Sequence, residues 1–123
     1  MSVNRWMCDK CLGEILEPEH GCVEWLVRVE GDTRVGRGLR LVHINQQSPQ
    51  AVDDWGCQYN QATEGKRDGS AVNDASLSTC LGSGGLMYLL CMLEEGELPV
   101  EDMVEMIGRL HVDGYEQERM RSR

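Results

Sequence analysis

Between Cys22 and Glu30 apolar side chains fall on every second residue. Val23, Trp25, Val27 and Val29 share one face, Glu24, Arg28 and Glu30 the other, and only Leu26 breaks the alternation. A period of two is the mark of a half-buried strand. Gly31–Gly38 reads as a loop and Leu39–Asn45 as a second strand, so the pair is expected to form an antiparallel hairpin. From Gln46 to Ser78 the chain turns polar, with turn signals at Pro49, at Trp55-Gly56-Cys57 and across residues 64–69. A short helix starting near Cys57 is compatible with this stretch, and residues 62–78 are expected to be a loop or linker. Leu86–Leu93 is apolar all round, which predicts a helix buried on most sides. Gly96 ends it, and Pro99 with Glu101 and Asp102 suits the start of another. Val100, Met103, Val104, Ile107 and Leu110 make an amphipathic stripe on that second helix, and a short charged helix is expected from Tyr115. Gly82-Ser83-Gly84-Gly85 lacks the Gly-Lys-Ser/Thr ending of a phosphate loop and reads as a helix entrance capped by Ser83.

These elements predict an α+β protein in three parts. Residues 1–61 would carry a metal-binding knuckle and the hairpin, 62–78 the linker, and 79–123 a helical region packed on the first part. A chain of 123 residues with no Phe builds a modest core, and a covalent or metal staple helps such a chain. The six cysteines indicate which staple. The N-terminus has no apolar run fit for a signal peptide, and Ala75–Leu93 is too broken to span a bilayer. A cytoplasmic location is expected, where thiols stay reduced and a disulfide framework is disfavoured.

Cys8-Asp9-Lys10-Cys11, followed by Leu12-Gly13, carries the most specific chemistry. Two thiolates two residues apart grip one zinc ion through a tight turn, and a nearby glycine relieves that turn. A redox dithiol needs a helix after the motif, and Gly13 and Pro18 break one. Two further ligands must complete the tetrahedron. His20 with Cys22 would make a compact local site, whereas His43 with Cys57 would place the hairpin between the two ligand pairs. The second arrangement is preferred, because a knuckle, a hairpin and a later ligand pair are the parts of zinc ribbons and treble clefs. Cys22 is the reserve ligand. Cys91 and Cys80 read as small buried hydrophobes, and His111 as a cation near a helix end.

Trp6 ahead of the knuckle, Cys8, Cys11, the Val42-His43 pair and Cys57 resemble a group of small bacterial and phage zinc-ribbon-like proteins of unknown function. The resemblance covers the N-terminal half and implies zinc binding without an activity. Three cysteines and one histidine close a tetrahedron and leave no position for water, so the expected Zn2+ is structural, one per chain. The Val42-His43-Ile44 strand end with Asp53, Asp54 and Cys57 is also similar to zinc-stabilised His-type nucleases. The acidic residue before the histidine, a second catalytic histidine and a basic face are all missing, so no enzyme is expected.

Charge narrows the partner. With 12 basic and 21 acidic residues the net charge is −9, which argues against direct nucleic-acid binding. The expected role is a protein-interaction or adaptor module. The alternative is an acidic phage- or mobile-element-type inhibitor of a nucleic-acid-binding enzyme, using the nine acids and single Arg109 between Glu94 and Glu118. Candidate contact residues are Trp55 in the polar loop, Arg34 and Arg37 in the hairpin's basic patch with Arg28 and Arg40, and Glu101, Asp102 and Glu105. Trp6 and Trp25 are expected to pack around the knuckle. An exposed apolar face on the last helices would allow a homodimer.

Overall fold

The computed structural model describes residues 5–49 and 56–121. Its centre is a ten-residue strand, β3 (Gly21–Glu30), flanked by β4 (Thr33–His43) and β5 (Ala71–Ser76) in an antiparallel sheet of order β4-β3-β5. Because β3 is central, both of its faces are buried from Gly21 to Val27 and only Arg28–Glu30 project into solvent. That explains Leu26, which lies on the Glu24 face and is as deeply buried as Val23 on the other. The pairing with β4 slips between Glu24 and Leu26, a bulge that adds local twist.

The loop expected at Gly31–Gly38 is instead a two-residue turn followed by strand. Gly31 takes a φ of 66°, which a glycine accepts without a side-chain clash, and Glu30 pairs with Thr33 across the turn. The linker expected at 62–78 is likewise structured. It holds helix α1 (Gln61–Asp68) and strand β5, which pairs with β3 from Cys22↔Ser76 to Val27↔Ala71. Asn60 caps α1 by accepting from the amides of Ala62 and Thr63, and Gly69 ends it in the left-handed region.

A small second sheet joins β1 (Trp6–Met7) to β2 (Glu14–Ile15), antiparallel, around the knuckle. The last third folds as α2 (Gly82–Glu95), α3 (Val100–His111) and α4 (Tyr115–Arg121). α2 packs on α3, α3 reaches β4, and α4 lies on β1. Leu89, Met103, Met106 and Leu110 join Val23, Trp25, Val27, Leu41 and Ile15 in one core cluster. Gly85 is obligatory there, since a Cβ at that position would stand 2.1 Å from the backbone carbon of Cys80.

Three helix readings are corrected. α2 is not buried on most sides: Met87, Leu90 and Cys91 are exposed, and Gly85 and Leu89 are its fully buried residues. Ser83 does not cap it; the helix begins at Gly82 after Leu81, which offers no side-chain cap. The buried stripe of α3 runs through Met103, Met106 and Leu110, leaving Val100 and Val104 outside. None of the described helices is long and apolar enough to cross a membrane.

Candidate metal centre

The knuckle begins where β1 ends. Cys8 N–H donates to the Gly13 carbonyl (2.8 Å) and Leu12 N–H to the Cys8 carbonyl (2.9 Å), folding the segment back on itself. The turn places Leu12 at a φ of 67°, an unusual conformation for a side chain of that size. Two amides then point at the sulfurs, Lys10 N–H at Cys8 Sγ and Gly13 N–H at Cys11 Sγ, each at 3.4 Å. Such donors stabilise thiolate charge.

Asp9, between the two cysteines, ties the knuckle to the sheet. Its amide donates to the Leu41 carbonyl at 2.7 Å, and its carboxylate accepts from the Leu41 amide at 2.8 Å. That clamp sets the cysteines beside the end of β4, where His43 is the last residue. The imidazole Nε2–H donates to the Glu14 carbonyl of β2 at 2.9 Å. This leaves Nδ1 with its lone pair toward Cys11 Sγ at 3.4 Å and Cys57 Sγ at 3.9 Å. A hydrogen bond on the far nitrogen is how a ligating histidine is held in one tautomer.

Cys57 arrives from the other side of the sheet. Asn45 and Gln58 exchange two hydrogen bonds, Asn45 N–H to Gln58 Oε1 (2.9 Å) and Gln58 N–H to Asn45 Oδ1 (3.1 Å), fixing the segment around it. Arg40 donates to the Cys57 carbonyl at 3.0 Å and to the fully buried Glu24 at 2.7 Å, while stacking on the Tyr59 ring. Both Glu24 oxygens also accept from the Tyr59 amide at 3.0 Å. Glu24 is thus a buried charge whose partners all belong to the strand and segment that deliver His43 and Cys57. Burial raises its pKa above the ordinary value, with the Tyr59 amide and Arg40 opposing.

The structure therefore brings Cys8, Cys11, His43 and Cys57 together, with one donor atom from each and all four within 4.8 Å of one another. Three are buried and Cys11 is partly so. Burial pushes the Cys57 thiol up to about 12; the Ser48 hydroxyl, 3.0 Å from its sulfur, opposes this and the neighbouring Cys8 adds to it. A bound cation reverses that balance, because metal binding deprotonates thiols outright. The group can hold a metal ion through three soft sulfurs and one imidazole.

The alternative ligands lie elsewhere. Cys22 is buried with Gln58 Nε2 at 3.6 Å from its sulfur, and burial followed by Glu24 raises its thiol to about 12. Neither Cys22 nor His20 belongs to the four-residue cluster. Cys80 is buried, its thiol raised to about 11 by burial, whereas Cys91 is exposed rather than a core residue. None of the six cysteines forms a disulfide. His111 ends α3 with Nε2 2.7 Å from the Cys80 carbonyl.

The candidate contact residues are dispersed. Trp55, with Asp53 and Asp54, lies outside the described residues. The basic patch is neutralised within the fold: Arg34 pairs with Glu97 (2.8 Å), Arg37 with Asp68 (2.6 Å), Arg28 with Glu30 and Arg40 with Glu24. Glu105 pairs with Arg119 at 3.0 Å, Glu101 is exposed and Asp102 is partly buried. Trp6 and Trp25 both join the core cluster that holds Cys8, but Trp25 also lines a cleft with Tyr88 and Met92 of α2.

Sequence reasoning missed a second buried network. Arg109 holds both oxygens of Glu116 (2.8 and 2.9 Å), Asp9 (2.8 Å) and the Met7 carbonyl (3.0 Å), while Glu116 accepts from the Met7 amide at 3.0 Å. Against the cost of burial, Glu116 and Asp9 hold the Arg109 pKa above its usual value. The available signal was that Arg109 is the single Lys or Arg among nine acids between Glu94 and Glu118. Compared with protein-family models, curated proteins and solved structures, the chain finds no match.

Proposed function

We propose that this chain is a small protein-interaction module whose shape is held by one structural zinc ion on Cys8, Cys11, His43 and Cys57. The observation that carries the reading is the set of four donor atoms, from Cys8, Cys11, His43 and Cys57, all within 4.8 Å of one another. Zinc–sulfur bonds of about 2.3 Å and zinc–nitrogen bonds of about 2.0–2.1 Å give tetrahedral sulfur-to-nitrogen edges of about 3.6 Å. The 3.4 and 3.9 Å separations bracket that value. Three sulfurs and a nitrogen suit zinc better than magnesium or calcium.

Four protein ligands fill the tetrahedron, so the ion acts as a cross-link rather than a Lewis acid. His43, as a ligand, is not available as a general base. Three thiolates and one Zn2+ together add −1, taking the net charge from −9 to −10. A surface of that sign favours a protein partner with basic groups over a nucleic acid. Glu105 and Glu116 spend their charge on Arg119 and Arg109, which weakens the broad acidic face that an inhibitor of a nucleic-acid-binding enzyme needs.

Cobalt substitution tests the closed structural site. The Co2+-loaded protein is expected to show tetrahedral d–d bands and thiolate charge transfer that do not change when azide is added. A spectrum that shifts with azide reveals an open coordination position and contradicts a purely structural ion. Plasmid DNA cleavage by the zinc-loaded protein, abolished in His43→Ala with the zinc retained, would overturn the reading as well.

A further inference from the structure

On the sheet face opposite the Glu24–Tyr59 network, a cleft of about 750 Å³ opens between the hairpin turn and the C-terminal end of α2. This volume lies in the range of small-ligand sites. Trp25, Tyr88 and Met92 make its apolar wall, and Asp32, Glu95 and Glu97 bring three carboxylates to it. Among the described residues Arg34 is the one cation lining the cleft, and it is already bonded to Glu97 at 2.8 Å.

The end of α2 makes the cleft more negative still. A helix C-terminus carries partial negative charge and is normally matched by Lys, Arg or His in the last turn. α2 has no basic residue there; it ends Leu93-Glu94-Glu95-Gly96-Glu97, placing acids against the negative pole of a 14-residue helix. Like charge at that pole is unfavourable, and nothing within α2 relieves it. A third, independent feature sits in the wall. Trp25 is 7% exposed, yet its indole Nε1–H has no hydrogen-bond acceptor among the described residues. Buried donors in native proteins are nearly always paired, and an unpaired one marks a place where a partner is missing.

We propose that this cleft binds an organic cation, the ammonium or guanidinium head of an alkyl chain such as a lysine or arginine side chain. The carboxylates and the α2 terminus take the charge, and Trp25, Tyr88 and Met92 take the aliphatic stem and the cationic head against their faces. An acceptor carried beside the stem, such as a peptide carbonyl, satisfies the indole N–H. The proposal goes beyond the metal-site reading and does not depend on it, since no cleft residue is a metal ligand.

The test is a 15N NMR titration of the full chain, following the Trp25 indole resonance, which Trp25→Phe identifies. The probes are n-butylguanidinium and n-butylammonium, with 1-butanol and butyrate as neutral and anionic controls, and zinc content is measured in every sample. Saturable shifts with the two cations, weakened by salt and by about 2–5-fold in Glu95→Gln, are expected. Glu17→Gln, on a distant exposed turn, should leave them unchanged. Equal response to 1-butanol, no saturation with either cation, or no effect of Glu95→Gln would overturn the proposal even with zinc fully bound. A capped arginine tripeptide and free spermidine then separate a protein side chain from a free polyamine as the source, and tighter binding of either over butylammonium supports the site.

Discussion

Glu24 shows how much one side chain decides when it stands on the central strand. Its carboxylate has no exposed surface, yet it joins Arg40 of β4 to the Tyr59 amide just beyond Cys57. Replacing it with glutamine keeps the shape but sets an NH2 donor in place of one of the two oxygens that accept from Arg40 and the Tyr59 amide, a change expected to cost about 1–3 kcal/mol below neutral pH. Its pKa is raised in the folded protein, so the folded state binds its proton more tightly than the unfolded chain does. The contribution is fully present below the ordinary value near 4.5 and is lost as pH rises through the raised folded value. Chemical unfolding of wild type and Glu24→Gln across pH checks this. The wild-type advantage should shrink as pH climbs from the ordinary carboxylate range, and an advantage that grows instead would contradict it. Nothing in the alternating pattern distinguished Glu24 from the exposed Glu30 on the same strand. The difference is made by the segment that covers one end of that face, and it comes from more than 30 residues away.

At the scale of elements, the hairpin and the last helices were legible because their signals are local and periodic. β5 was not, since Ala71-Val72-Asn73-Asp74-Ala75-Ser76 contains a single strong strand former and owes its conformation to pairing with β3. The first half of β4 was hidden for a related reason: Arg34, Gly36, Arg37 and Gly38 look like loop residues but are held by the long hairpin register. α1 did carry its signals, Asn60 as cap and Gly69 as stop, although its polar composition masked them. α2 failed in the opposite direction, because an all-apolar helix does not declare which face finds a partner. The docking of α3 and α4 depends on Arg109, Glu116 and Asp9, three charges with no periodic signature. Asp9 lies between two candidate metal ligands, so the knuckle and these helices form one mechanical unit. Removing Arg109 as Arg109→Met takes the main charge partner from the buried Glu116, leaving it the Met7 amide at 3.0 Å and Arg119 at 3.6 Å, an expected loss of about 3–5 kcal/mol. Hydrogen exchange adds a sharper test. Chelation should raise exchange first in β1, α3 and α4, while the β3–β5 amides stay protected. Uniform loss of protection, or none in α3 and α4, would contradict the coupling.

For the molecule as a whole, four cysteine and histidine positions spread over 50 residues converge because two sheets and a buried ion network carry them there. The knuckle was legible from its spacing alone. The choice of His43 and Cys57 over His20 and Cys22 followed from hairpin logic, and the four residues do come together. What the spacing could not supply was the support behind them: the Asp9 clamp on Leu41, the Glu14 carbonyl on His43, and Arg40 on the Cys57 carbonyl. Those contacts are long-range and polar, and they bind the N-terminal knuckle, the sheet and the C-terminal helices together. The direct test is native mass spectrometry of the purified protein beside Cys57→Ser and Cys22→Ser. One zinc ion per chain in the parent, lost in Cys57→Ser and retained in Cys22→Ser, is the expected result. Zinc retained in Cys57→Ser and lost in Cys22→Ser, or no metal in the parent, would contradict a fold stapled at Cys8, Cys11, His43 and Cys57.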